Sequence, residues 1–181
     1  MRLGVGVPLG LAFLLLVPAC GSGTLAPDGA PPGMCSADVP AGQECNTLAN
    51  VGDLVTPTCV TGTAPSGTGG TLVDGTYVLT SQDKYGSSCT SPFSFSETLA
   101  VAGDCIQVVS GGILPATASV RITTQGNAIS FTQTCVHVDT DGAVVTPDMR
   151  MKSYTAASTT LTLFAVDATT GNTDVSVFTR R

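Results

Sequence analysis

The chain has 181 residues, 43% hydrophobic, 11% charged and 5% aromatic, with no Trp, one His, seven Cys, 21 Gly and 11 Pro. Seven basic against 13 acidic residues give a net charge of −6, so the basic patch with which nucleic-acid binders displace counterions is missing, and no nucleic-acid partner is expected. The apolar fraction is too high for a wholly disordered chain, and the length suffices for one domain with a core.

Arg2 precedes an apolar stretch from Leu9 to Val17 that ends in Pro18-Ala19-Cys20. The stretch is shorter than the roughly 20 apolar residues of a spanning helix and is broken up by Gly4, Gly6, Pro8 and Gly10, so residues 1–19 read as a secretory signal. Val17-Pro18-Ala19-Cys20 resembles a bacterial lipobox, in which the cysteine is lipidated and becomes the mature N-terminus. That resemblance implies a diacylglyceryl thioether on Cys20. Each buried methylene contributes about 0.8 kcal/mol and a single chain anchors only marginally, so two or three chains would hold the protein on a membrane without spanning it. Gly21 carries no acidic retention signal, which leans toward the outer membrane of a bacterial cell envelope. The alternative is an ordinary signal peptide, with Cys20 a structural thiol.

Setting Cys20 aside leaves an even number of cysteines, Cys35, Cys45, Cys59, Cys89, Cys105 and Cys135, which in an exported protein suggests three disulfides. Zinc competes poorly, because no two of these cysteines stand at C-x2-4-C spacing and the sole histidine, His137, is two residues from Cys135. Sequence alone leaves many connectivities open. The preferred set pairs Cys45 with Cys59, Cys89 with Cys135 and Cys35 with Cys105.

Residues 20–34 are Gly, Ala, Pro and Ser with almost no large apolar side chain, and read as a flexible tether. Residues 35–70 hold three cysteines and a few aliphatics, an irregular stapled segment followed by a Gly/Pro-rich linker. From residue 71 to 181 the chain changes to short Thr/Val/Ile/Phe-rich runs separated by turn signals, the pattern of antiparallel strands. The runs are Gly75 to Ser81, Phe93 to Val101, Cys105 to Ser110, Ala118 to Thr124, Ala128 to His137, Arg150 to Thr155, Thr159 to Val166 and Thr173 to Thr179. Ala102-Gly103-Asp104, Gln125-Gly126-Asn127, Asp141-Gly142 and Thr170-Gly171-Asn172 supply the residues that tight hairpin turns need. No run has a sustained helical period.

Alternation places Phe93, Phe95, Leu99 and Val101 on a buried face and Ser94, Ser96, Thr98 and Ala100 on a wet one. Val120 and Ile122, Ile129 and Phe131, and Leu161 and Leu163 repeat the split. Eight sequential strands joined by hairpins predict an all-β fold, an antiparallel up-and-down eight-stranded barrel, with a two-sheet sandwich as the alternative. Such a barrel is just wide enough to be filled by side chains or to hold one small ligand. Most of the rings, Tyr77, Phe93, Phe95, Phe131, Phe164 and Phe178, are thereby assigned to strands and the core.

Glu97 breaks this alternation. It falls on the apolar face, where an unpaired carboxylate costs several kcal/mol, so it must lie at a barrel mouth, pair with a cation such as Arg121 or Arg150, or be displaced by a bulge. Its functional reading is a polar group in a ligand cavity beside Tyr77 and Phe95, with Arg121 as a candidate partner.

Asp74-Gly75-Thr76-Tyr77-Val78-Leu79-Thr80-Ser81, Thr132-Gln133-Thr134-Cys135, Thr159-Thr160-Leu161-Thr162-Leu163 and Val177-Phe178-Thr179-Arg180, taken with the lipobox, resemble a group of uncharacterised bacterial lipoproteins. In outline the domain is similar to lipocalin-like barrels, which implies a fold able to carry small hydrophobic molecules. The Gly-x-Trp of lipocalins has no counterpart here, since the chain has no Trp.

Catalytic constellations are missing from the sequence. No Gly-x-Ser-x-Gly elbow accompanies His137, which reads as a strand-end surface residue. Asp139-Thr140-Asp141-Gly142 opens like a calcium loop, but Ala143 and Arg150 stand where oxygen ligands belong, so a hairpin turn is the better reading. Gly111-Gly112 is followed by no Gly-Lys-Ser/Thr, and no cofactor is expected. The sequence therefore favours a non-catalytic, lipid-anchored envelope protein contacting other envelope molecules, with a small hydrophobic-ligand carrier as the alternative.

Overall fold

The computed structural model describes residues 35, 43–86, 89, 93–112, 115–138, 149–168 and 170–181, with backbone only at 149 and 150. The leader, Cys20, the tether and the Asp139 to Gly142 turn lie outside these residues. Nine strands form among the described residues: β1 (Thr58–Val60), β2 (Gly75–Tyr85), β3 (Ser96–Ala102), β4 (Cys105–Gly111), β5 (Ala116–Gln125), β6 (Ala128–Val138), β7 (Met149–Ala156), β8 (Thr160–Val166) and β9 (Thr173–Arg180). Strands β2 to β9 pair antiparallel in chain order and β9 returns to β2, closing an eight-stranded up-and-down barrel. Closure selects the barrel over the sandwich. No helix occurs among the described residues.

Two of the hairpins turn on a glycine with positive φ. Gly103 and Gly126 sit at φ 59° and 61° between β3 and β4 and between β5 and β6, in the left-handed region that a side chain disfavours. Side chains then alternate in and out of the barrel. Tyr77, Leu79, Val101, Ile106, Ile129, Tyr154, Leu161 and Phe178 point inward and are each at most 2% exposed, so one stretch of the interior is packed solid. Fully burying each such side chain contributes about 1.5–3 kcal/mol. Tyr154 donates its hydroxyl hydrogen to Gly70 O at 2.8 Å and Tyr77 donates to Val73 O at 2.7 Å, so the chain before β2 satisfies both buried hydroxyls. Gly67 lies against the Tyr154 backbone, where a Cβ would come within 2.6 Å of the Tyr154 carbonyl oxygen. This close approach lets residues 67–70 run beside β7.

The register slips between Leu79 and Ser81 in β2, and between Ser119 and Val120 where β5 meets β6. The first slip changes which parity of β2 faces inward. Beyond it Gln82 and Lys84 face the interior beside Ser176 and Asp174, and Lys84 Nζ lies 3.7 Å from Asp174 Oδ1.

The segment before the barrel is ordered on its outer surface, which alternation alone does not anticipate. Ser96, Thr98 and Ala100, expected on the wet face, are 7%, 0% and 4% exposed. Asn50 and Val51 cover Ser96 and Thr98. Asn50 Oδ1 accepts from Thr98 Oγ1 at 3.0 Å, Asn50 Nδ2 donates to Ser96 Oγ at 2.9 Å, and Val51 N donates to Thr98 Oγ1 at 3.0 Å. Further along, Asn46 Nδ2 donates to Ala118 O at 2.8 Å and Ser119 Oγ donates to Cys45 O at 3.3 Å. The polar face is dry because the strap's own backbone and asparagines satisfy it. Past the strap, Val55 and Phe95 exchange two backbone hydrogen bonds, and β1 pairs in parallel with the end of β2. These contacts occupy the edges left where β2 and β3 pair only from Gly75 to Val78. Because strand pairing starts at Ser96, Phe93 falls outside β3 and is 59% exposed rather than in the core.

All six described cysteines are paired. Cys35 bonds Cys105 as expected, but Cys45 bonds Cys135 and Cys59 bonds Cys89, correcting the other two pairings. The reason is the path of the chain. Cys45 and Cys59 do not close a local loop: Cys45 lies on the outside of β5 and β6, beside Ser119, whose register partner is Cys135, whereas Cys59 lies in β1 along β2, whose following loop carries Cys89.

Candidate functional site

One stretch of the barrel interior is open rather than packed. A cavity of about 230 Å³ is lined by Glu97 and Leu99 of β3, Ile106 and Val108 of β4, Ala118 and Val120 of β5, Phe131 and Gln133 of β6, Lys152 of β7 and Leu163 of β8. Alternation explains why these residues meet: each faces inward from its strand, and Ile106 borders both the cup and the packed stretch. Glu97 thus lies where its departure from the apolar pattern suggested, on the interior surface.

Two ionisable groups line this cup among the described residues, and they come from opposite walls. From β3 to β7 there are four strand steps in either direction around the eight-stranded barrel, so Glu97 and Lys152 face each other across its width. Burial pushes the Glu97 carboxyl above the usual carboxylate range, and the Lys152 ammonium pulls it partly back. Lys152 Nζ also lies 5.6 Å from the centroid of the Phe131 ring, within range of a cation–π contact. Gln133 adds an amide that can both donate and accept.

The other sequence candidates lie elsewhere. Tyr77 belongs to the packed stretch, 1% exposed, with burial raising its phenol and Arg180 opposing that rise. Phe95 packs at the margin of the core beside Val55 and does not line the cup. Arg121 faces outward and is no partner for Glu97; its Nη1 donates to Asp104 Oδ2 at 2.8 Å in an exposed pair. The backbone of residue 150 is opposite Phe131, but the Arg150 side chain lies outside the described residues. His137 borders a separate shallow recess with Glu44, Ser110 and Thr117. No group of three or more His, Cys, Asp or Glu converges among the described residues.

Lys152 and Gln133 were not singled out in the sequence, although a signal for the lysine was present. It shares a strand face with Tyr154, two residues on, and so was bound to point inward once Tyr154 did.

Lys152 also borders a second, more open recess of about 630 Å³, shared with Met151, Ala165, Val166, Asp167 and Asp174. It lies where β7 and β8 part: the two strands pair only from Ser153 to Ala156 against Leu161 to Phe164. Met151 and Val166 flank the parting at 74% and 69% exposure. No family model matches the chain, and no curated protein or solved structure is significantly similar to it.

Proposed function

We propose that this chain is a lipid-anchored protein of the bacterial cell envelope, held on the outer membrane through Cys20, with a non-catalytic binding role performed by a disulfide-strapped barrel. The observation that carries this reading is cysteine bookkeeping. Six of the seven cysteines are consumed in three disulfides, so Cys20, in the lipobox-like sequence, is the one left over for a different chemistry. Structural disulfides belong to oxidising compartments, which supports export. The test is to grow a bacterial host expressing the full chain with a labelled fatty acid. The label is expected in the protein and the protein in the membrane fraction, and Cys20→Ala is expected to lose both. Unlabelled wild-type protein in the soluble fraction would overturn the anchor.

The cup favours a second reading within the same role, that the bound partner is a small molecule held inside the barrel. Its volume is below the roughly 300 Å³ at which drug-sized pockets begin, so the ligand is smaller than those carried by wide barrels.

A further inference from the structure

We propose that the Cys59–Cys89 bridge is a site of thiol–disulfide exchange with a dithiol, and that its reduction releases one piece of the barrel wall while the rest stays closed. Access is the first ground. Of the six bridged cysteines Cys59 alone is exposed, and Cys89 is half-buried. Cys35, Cys45 and Cys105 are 6%, 7% and 5% exposed, so each of the other two bridges has at least one cysteine withdrawn from solvent. Exchange needs a thiolate to reach a bridge sulfur, so exposure decides which bridge opens first.

The second ground is what the bridge holds. β9 runs along one edge of β2 from Tyr77 to Tyr85, while β3 holds the other edge only from Gly75 to Val78. β1 takes that second edge at Asp83 to Tyr85, and Val55 exchanges backbone hydrogen bonds of 2.8 and 3.1 Å with Phe95, just before β3. Residues 55–60 thus cross the wedge where β2 and β3 part. Asp53, Leu54, Thr56, Thr58 and Cys59 are exposed, as is the hydrogen bond of 2.6 Å between Thr56 Oγ1 and Ser94 Oγ. Few buried side chains and exposed hydrogen bonds mark a segment that opens locally, and the Cys59–Cys89 bond ties this one to the loop after β2. On either side the chain is fixed independently. Asn50 and Val51 bond to Ser96 and Thr98, and Gly69 exchanges backbone bonds with Tyr154 and Ala156. Opening the bridge therefore frees a loop held at both ends and leaves the barrel shut.

The exchange proceeds in two displacements. A thiolate of the dithiol attacks Cys59 Sγ, forms a mixed disulfide and expels the Cys89 thiolate, which takes a proton from water. The second thiolate of the dithiol then attacks the reductant's own sulfur in that mixed disulfide, closes the reductant into a disulfide and releases Cys59, protonated in turn. Two electrons pass to the protein and the dithiol is oxidised.

The experiment titrates the oxidised full chain in detergent micelles with dithiothreitol, traps free thiols with iodoacetamide and maps them by mass spectrometry. Cys59 and Cys89 are expected to label at a dithiothreitol concentration about tenfold or more below that needed by Cys35, Cys45, Cys105 and Cys135. At that first step, amide hydrogen exchange of residues 53–60 is expected to speed up by about tenfold or more, with β4, β5 and β6 unchanged. The double variant Cys59→Ser/Cys89→Ser is expected to show the same fast exchange without reductant. If another bridge opens first or together with Cys59–Cys89, the exchange site falls. If Cys59–Cys89 opens first but exchange in residues 53–60 does not change, its hold on the barrel wall falls. Should the double variant fail to fold, the titration of the native chain decides the matter alone.

Discussion

Two stretches of the same barrel interior are built to opposite ends. In one, Tyr77, Leu79, Val101, Ile129, Tyr154, Leu161 and Phe178 fill the space, and the tyrosine hydroxyls find backbone carbonyls in the chain that leads into β2. In the other, a glutamate, a glutamine and a lysine share a cavity of about 230 Å³ with aliphatic neighbours. The strands are continuous through both stretches, so the difference comes from side chains alone. A change from a packed side chain to a charged one at the next inward position, as from Leu99 to Glu97 or from Tyr154 to Lys152, converts wall into cavity lining. The packed stretch supplies stability, and the cup draws on it.

Substitutions across the two stretches break or sharpen this contrast. The largest loss is expected for Phe178→Ala in the packed stretch, about 3–5 kcal/mol, because its neighbours cannot collapse into the space. Chemical denaturation should show a lowered midpoint at unchanged slope. Leu163→Ala, at the boundary where the side chain already borders the cup, is expected to cost nearer the lower limit for such changes, about 2 kcal/mol. Equal losses at both positions would mean that the cup is no emptier than the packed stretch. Tyr154→Phe removes only the hydroxyl that Gly70 O accepts and should cost about 1 kcal/mol by the same measurement.

Glu97→Gln is expected to go the other way. At neutral pH it should raise stability by about 1 kcal/mol, or about 2–4 °C in melting temperature, by replacing a carboxyl whose ionisation burial penalises with a neutral amide of the same shape. The pH dependence follows from the direction of the shift. Burial raises the Glu97 carboxyl in the folded chain, so the folded state holds this proton more tightly than the unfolded one. The associated stability is fully present below the ordinary glutamate value of about 4.3 and is lost as pH rises through the higher folded value. The advantage of Glu97→Gln should therefore shrink as pH falls toward that ordinary value. A constant advantage in thermal melts from pH 4 to 7 would show that the carboxyl is not responsible.

The barrel was legible because two local signals agreed along its length: period-two alternation within the runs and glycine at the turns. All eight barrel strands lie where those signals place them, and the differences fall mainly at their ends. β2 runs on to Tyr85 because the slip after Leu79 lets Gln82 and Lys84 face inward, a change of parity that a strict alternation rule reads as the end of a strand. β1 was not legible, since Thr58-Cys59-Val60 is too short to carry a period and becomes a strand only by docking on β2. The same holds for Cys45 and Cys135, whose meeting depends on a path over the outside of the barrel. Glu97 was legible as an exception to its own strand. Its counterpart Lys152 was not, because what makes the pair a site is curvature that joins residues far apart in the chain.

The disulfide connectivity has a bearing on proteolysis. The bridges Cys35–Cys105 and Cys45–Cys135 overlap along the chain, and Cys59–Cys89 sits within both. Every peptide bond between Cys35 and Cys135 is therefore spanned by at least one bridge. A protease that nicks an exposed turn anywhere in that stretch, such as Gly103 between β3 and β4, cuts the backbone but frees no fragment, and the two pieces stay joined in one sheet.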